Sequence, residues 1–294
     1  LQLDKTRIPV LERTYDNLLD LTLVVVRRHA LPLLATSLLG AVPFAVLNYF
    51  LLAPWMQPFD AYEYAEAATW YSILMVLVVC WEAPLASIPT TLYLGEALFV
   101  EKPDVKRMWQ SFRAALPQLI GVQVLFRAAL VGMLFLPSEF PDDFLFWLLR
   151  AGLFTVWIFL YWFRPYLNEI ILLERNPWRG GPGVITTRRR AANLHGYFAG
   201  NLFGRWLAAV SFGLLWVTGL AAAIFWVRMT VTNGELDFSP PLFEIWLPVA
   251  LWIVVSYFNV VRFLSYLDLR IRGEGWEIEL RMRAEANRLR NQLA

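Results

Sequence analysis

One cysteine, Cys80, and two histidines, His29 and His195, are all the thiol and imidazole in this sequence. A lone cysteine excludes a disulfide scaffold. Neither a paired-cysteine spacing nor a His-Glu-x-x-His pattern occurs, so no metal site can be read and no cofactor is expected. The glycines around Gly180, Gly181 and Gly183 lack a following Gly-Lys-Ser or Gly-Lys-Thr, which leaves a linker rather than a phosphate loop. No serine can be matched to a positioned histidine and aspartate, so no catalytic constellation is visible. Charge is scarce too, at 17% of residues against about 25% in soluble domains. Hydrophobic residues make up 58%, more than a water-soluble fold of 294 residues can hide while coating its surface with charge. That leaves a multi-pass membrane protein.

A bilayer core about 30 Å thick needs roughly 20 apolar residues per helix. Six windows qualify: residues 30–52, 70–93, 117–136, 144–162, 197–227 and 242–264. Continuous apolar runs such as Leu220-Ala221-Ala222-Ala223-Ile224-Phe225 argue for helices, since barrel strands alternate in polarity. The fold expected is an all-α, polytopic bundle of six transmembrane helices. Residues 1–275 form the membrane domain, and 276–294 form a charged cytoplasmic C-terminal helix. No signal peptide is expected in the opening residues, which mix charge with leucine. The chain opens on Leu1 rather than Met, so native residues are expected before it.

The 26 basic residues are sorted by side. All fall on one face of the predicted topology except Arg228 on the other, and Arg127, Arg150 and Arg205 inside spans. The opposite loops are acidic, with Asp60, Glu63, Glu66, Glu139, Asp142, Asp143, Glu235 and Asp237. The positive-inside rule then places both termini in the cytoplasm. A net charge of +2 conceals this asymmetry.

Three similar units follow one another, at about residues 10–101, 102–178 and 182–274. Each reads as an entry helix, a span out, a span back and a Tyr-Leu exit: Tyr93-Leu94, Tyr166-Leu167, Tyr266-Leu267. In the second entry helix Val105, Met108, Trp109, Phe112 and Leu116 make one apolar stripe, and Asp104 can cap the start. In the first, Leu11, Tyr15, Leu18 and Val25 make a similar stripe, interrupted by Thr22. Such helices lie in the membrane interface, with basic side chains near anionic headgroups. The candidate lipid- or partner-facing residues are therefore Lys106, Arg107, Arg113, Arg188, Arg189, Arg190, Arg281 and Arg283. Homo-oligomerisation or a protein partner is also expected; nucleic acid is not. His29 and His195 occupy matching positions and read as polar residues at helix starts. Trp55, Trp70, Trp81, Trp109, Trp147, Trp162 and Trp246 read as an aromatic belt.

Charges inside a membrane are expensive, so they pair, face the bundle interior or line a path. The candidate intramembrane site comprises Glu82, Arg127, Arg150, Arg205 and Glu169. At 1.5 Å rise per residue, Glu82 and Arg127 both come near mid-membrane depth, which predicts that they approach each other, with Arg150 as substitute. Glu169 with Arg164 or Arg205 is the second expected set.

Two stretches carry a resemblance. Glu169-Ile170-Ile171-Leu172-Leu173-Glu174-Arg175, followed by Gly183-Val184-Ile185-Thr186-Thr187-Arg188-Arg189-Arg190, is one. The tail Tyr266-Leu267-Asp268-Leu269-Arg270-Ile271-Arg272-Gly273-Glu274-Gly275-Trp276 is the other and the more specific. Together they resemble the glycerophosphoryl diester phosphodiesterase membrane domain family. The chain departs from the loop pattern at Ala191-Ala192-Asn193-Leu194-His195. The resemblance implies an integral protein of the bacterial cytoplasmic membrane, an anchor or assembly component without known catalytic residues. The phosphodiesterase chemistry belongs to a separate soluble domain in fused members, and the longest loop between spans here, about 34 residues, has no room for it. The leading functional expectation is a non-enzymatic scaffold that docks a partner or anionic lipid on its basic face. The alternative is a transporter or lipid-handling protein with a path along Glu82, Arg127 and Arg150.

Overall fold

The computed structural model describes residues 13–56, 61–98, 100, 103–126, 148, 151–152, 155, 164–177, 180, 184–231 and 242–274. Among these residues there is no strand, and the architecture is all-helical. Helix α1 (Tyr15–Arg28) leads into α2 (Ala30–Leu52), which ends in a short 3-10 turn. Next come α3 (Ala61–Ala86) and α4 (Ile88–Ala97), then α5 (Val105–Leu119), which runs into a π-helical segment, Ile120–Phe126. The one-turn α6 (Leu167–Glu169) continues as a second π segment, Ile170–Glu174. Helices α7 (Thr187–Tyr197), α8 (Ala199–Val231) and α9 (Leu247–Glu274) complete the order, a third π turn, Leu242–Trp246, preceding α9.

Among the described residues, four helices are long and apolar enough to cross a membrane: Ala30–Leu52, Glu66–Ala97, Ala199–Val231 and Phe243–Glu274. They coincide with four of the six expected windows. Of the other two, 117–126 is described as the end of α5 and the π segment, while 127–136, most of 144–162 and the expected tail helix beyond Glu274 lie outside the described residues. The second and fourth run longer than hydropathy alone drew them. Polar positions such as Thr90 and Asp268 stay helical because they are buried and hydrogen-bonded inside the bundle.

The helix ends follow from local chemistry. Asp16 opens α1 and Arg27 and Arg28 close it, each sign matched to the helix dipole. Asp104 caps α5 by accepting from Lys106 N at 2.9 Å, and Thr186 caps α7 by accepting from Arg189 N. Arg175 stops the second π segment in a left-handed conformation, φ 53°, an unusual state for a side-chain-bearing residue.

Helix α9 is the axis of packing. Its Leu251 and Trp252 meet Tyr71, Met75 and Val79 of α3. One turn cluster further, Val260, Phe263 and Leu264 meet Leu18 and Val25 of α1 and Leu94 of α4. Thr22 belongs to that buried α1 face rather than interrupting it: it is fully buried, and its hydroxyl donates to Leu18 O at 2.7 Å, which satisfies it within the helix. Gly40 lets α2 close on α3, because a Cβ there would stand 1.9 Å from Ala86 O. By contrast, α8 buries only Leu202 and Arg205, and it exposes Leu214, Leu215, Trp226 and Val227. Apolar exposure on that scale is normal against lipid and a liability in water. In lipid the packing itself rests on close contact and polar pairs rather than on water exclusion.

Candidate functional site

Glu82 is fully buried, halfway along the helix Glu66–Ala97. Its Oε2 accepts a 2.7 Å hydrogen bond from Asn48 Nδ2 of α2, which is also fully buried. Glu82 Oε1 and Asn48 Oδ1 have no hydrogen-bond partner. Arg127 and Arg150, the cations expected beside Glu82, lie outside the described residues. Trp81, read as a belt residue, sits at the same mid-helix depth, whereas Trp70, Trp109 and Trp246 are exposed.

Just beyond Glu82 the helix breaks. Pro84 and Pro89 each remove a donor, and Ser87 separates α3 from α4. Side chains from elsewhere satisfy the break. Ser87 Oγ donates to Pro84 O at 2.7 Å, and Asn168 Nδ2 donates to the same carbonyl. Gln123 donates to Asn168 Oδ1, and Arg262 Nη2 donates to Ser87 Oγ at 2.5 Å. The break is thus a meeting point of α3, α6, α9 and the π segment after α5.

Glu169 is fully buried and pairs with Arg262 Nε at 2.7 Å. Arg205 pairs with Asp268. Of the cations expected for Glu169, Arg205 goes to Asp268 instead, and Arg262 is not among those expected. Helical proximity along the chain could not reveal these pairs, because the partners are 93 and 63 residues apart.

A second layer lies toward the chain's basic end. Glu174 accepts from Arg190 Nε at 2.6 Å and from Tyr266 Oη at 2.7 Å, with Arg270 Nε at 3.6 Å. Arg190 also pairs with Glu274, and Arg270 pairs with Glu274 at 2.9 Å. The hydrogen bond to Glu174 holds the Arg190 guanidinium above its ordinary pKa. Arg190 therefore faces inward, unlike its exposed neighbours Arg188 and Arg189. The geometry has a backbone cause. The i→i+5 turn of the π segment brings Glu169 and Glu174, five residues apart, to the same side. On α9, Arg262, Tyr266, Arg270 and Glu274 recur every four residues and form the facing stripe. The other face of α9 carries Asp268, which accepts from Arg272 Nε at 3.0 Å and from Arg13 N at 2.8 Å.

Each histidine meets a tyrosine of a Tyr-Leu exit. His29 Nδ1 lies 2.9 Å from Tyr93 Oη. His195 stacks on Tyr166, ring centroids 5.8 Å apart. Its Nε2 accepts from Tyr166 N at 3.3 Å, and Nδ1 lies 2.7 Å from Ala191 O. A carbonyl only accepts and a backbone N–H only donates, so the ring is the neutral Nδ1–H tautomer. Burial pushes His195 down to about 4, against the Ala191 hydrogen bond and helped by the Arg164 charge. Both nitrogens are used within the fold.

Helix α5 presents three faces. Ser111, Ala115 and Leu119 are buried, with Met108 and Phe112 packed beside them. Val105, Trp109 and Leu116 point away from the protein, 76%, 57% and 37% exposed. Lys106, Arg107 and Arg113 are exposed on the remainder. Two of the five residues of the expected apolar stripe thus grip the bundle and three are offered outward. Arg281 and Arg283 lie outside the described residues.

The described residues thus combine four helices apolar enough to cross a membrane with a buried carboxylate and an ionic layer; among them no cluster of three or more His, Cys, Asp or Glu is poised to hold a metal. No protein-family model, no curated protein and no solved structure matches the chain.

Proposed function

We propose that this chain is a non-enzymatic, six-span protein of the bacterial cytoplasmic membrane, built from three hairpin units, with both termini in the cytoplasm. Its basic face docks anionic lipid headgroups and serves as an anchor or assembly platform for a protein partner. The observation that carries this reading is α5. Its outward apolar residues Val105, Trp109 and Leu116 lie beside exposed Lys106 and Arg113, the layout of a helix that rests at the boundary between acyl chains and headgroups. The ionic layer supports it, because the charges of α9 and α7 that face inward hold the platform rigid. The resemblance to the glycerophosphoryl diester phosphodiesterase membrane domain family belongs to the same proposal. Its most specific stretch, Tyr266 to Glu274, supplies Tyr266, Asp268, Arg270, Arg272 and Glu274 to that layer.

The test is purification from native membranes in gentle detergent, with mass spectrometry of retained lipid and protein. Wild-type protein is expected to retain anionic phospholipid above its share of the membrane. The combined Lys106→Gln, Arg107→Gln, Arg113→Gln variant is expected to lose that excess. Recovery of the wild type as a monomer without lipid preference or companion would overturn the reading.

A second reading, transport or lipid handling along Glu82, is favoured by the proline-broken helix at Ser87. Broken helices near the midplane are a recurrent transporter device. Uptake of a substrate into vesicles that is lost in Glu82→Gln would support it.

A further inference from the structure

We propose that Glu82 is a proton-binding site inside the membrane, closed by Asn48 as a carboxyl–carboxamide pair. Both side chains are fully buried, and one hydrogen bond joins them, Asn48 Nδ2 to Glu82 Oε2 at 2.7 Å. That leaves two buried acceptors, Glu82 Oε1 and Asn48 Oδ1, and no donor for either. Buried acceptors without partners are costly, and a buried carboxylate without a counter-charge more so. An ionised Glu82 can make no bond to Asn48 Oδ1, because carboxylate and amide oxygens both only accept. One added proton changes this. Glu82 Oε1–H donates to Asn48 Oδ1 while Asn48 Nδ2–H donates to Glu82 Oε2, and a two-bond ring satisfies both leftover atoms. The proton comes from water and the carboxyl becomes neutral, so charge and atoms balance.

Among the described residues, no cation is paired with Glu82. Among the described residues, the elements packed on α3 bring Tyr49 from α2, Tyr93 and Glu96 from α4, and Glu244 from the π turn before α9. The first charged residue along α9 is Arg262, already engaged by Glu169 and Ser87. Cys80 and Tyr71 are the neighbouring titratable groups on α3 itself. The site stands whether the chain docks partners or moves a solute, since proton binding and flux are read by different assays.

The experiment treats the whole protein in bilayers with N,N′-dicyclohexylcarbodiimide and maps adducts by peptide mass spectrometry. The reagent partitions into the bilayer and captures a carboxyl only in its protonated form, giving a stable N-acylurea. A Glu82 adduct is expected at about pH 6 to 7, declining steeply at alkaline pH, and equal in sodium chloride and choline chloride. In infrared spectra a protonated-carboxyl carbonyl band is expected that Glu82→Gln deletes and Asn48→Leu shifts to higher frequency. Absence of a Glu82 adduct at every pH would overturn the proposal. So would an adduct suppressed by sodium at constant pH, which would make the site a sodium site instead. Mapping on the wild type keeps the result independent of whether either variant folds.

Discussion

Arg262 of α9 donates from Nε to Glu169 at 2.7 Å, and Glu169 has no solvent exposure at all. The same guanidinium reaches Ser87 Oγ at 2.5 Å, at the break between α3 and α4. One side chain therefore ties the central helix both to the α6 turn and to the broken helix. The pairing keeps a buried carboxylate compensated, and it fixes where the break can sit relative to α9.

Removing the cation alone should be severe. Arg262→Met leaves Glu169 buried without a counter-charge, a loss of about 3–5 kcal/mol for a pair of this kind. Combining Arg262→Met with Glu169→Leu should recover a large part of the loss. Thermal unfolding in detergent reads the difference, and a double variant no better than the single one would show that the pair is not the reason.

Gly40 should tolerate no side chain. In Gly40→Ala the new Cβ meets Ala86 O, so α2 must move from α3, costing about 1–3 kcal/mol as overpacking. Gly219→Ala, on the outward side of α8 with open space around it, should be neutral or mildly stabilising. Equal melting temperatures for the two variants would contradict the close approach.

His195 predicts a pH dependence with a definite sign. Its folded value is about 4 against an ordinary 6.5, so the unfolded chain binds the proton more readily. Stability is therefore fully present above about pH 6.5 and declines as pH falls toward 4, by up to about 1.4 kcal/mol per unit. Melting temperatures across that window should show the decline, and His195→Gln should flatten it. An unchanged slope in the variant would assign the dependence to other groups.

The four long apolar helices were legible because hydrophobicity sustained over a helix length has few other uses. Four of the windows appear as helices, the second and fourth running past where composition drew them, the last by ten residues. The place of Glu82 midway along its helix was legible as well. Partners were not. Glu82 bonds to Asn48, a neutral amide on another helix that charge counting passes over. Glu169 and Arg205 take Arg262 and Asp268, which only the crossing of helices far apart in sequence brings together. Composition also misread Thr22 as a break in a stripe, because hydropathy does not record that a hydroxyl can be satisfied by its own helix. The Tyr-Leu exits stood out as a pattern, but their work, receiving His29, His195 and Glu174, needed coordinates. The π turn that aligns Glu169 with Glu174 has no sequence signal we recognise.

The most direct test of the account is the depth of α5. After Cys80→Ala, single cysteines at positions 109 and 107 would carry nitroxide labels in bilayers containing anionic lipid. Collision rates with oxygen and with a water-soluble nickel chelate then give each label's depth. The account predicts the label at 109 at the acyl–headgroup boundary and the label at 107 in water. Equal water exposure at both positions would contradict it.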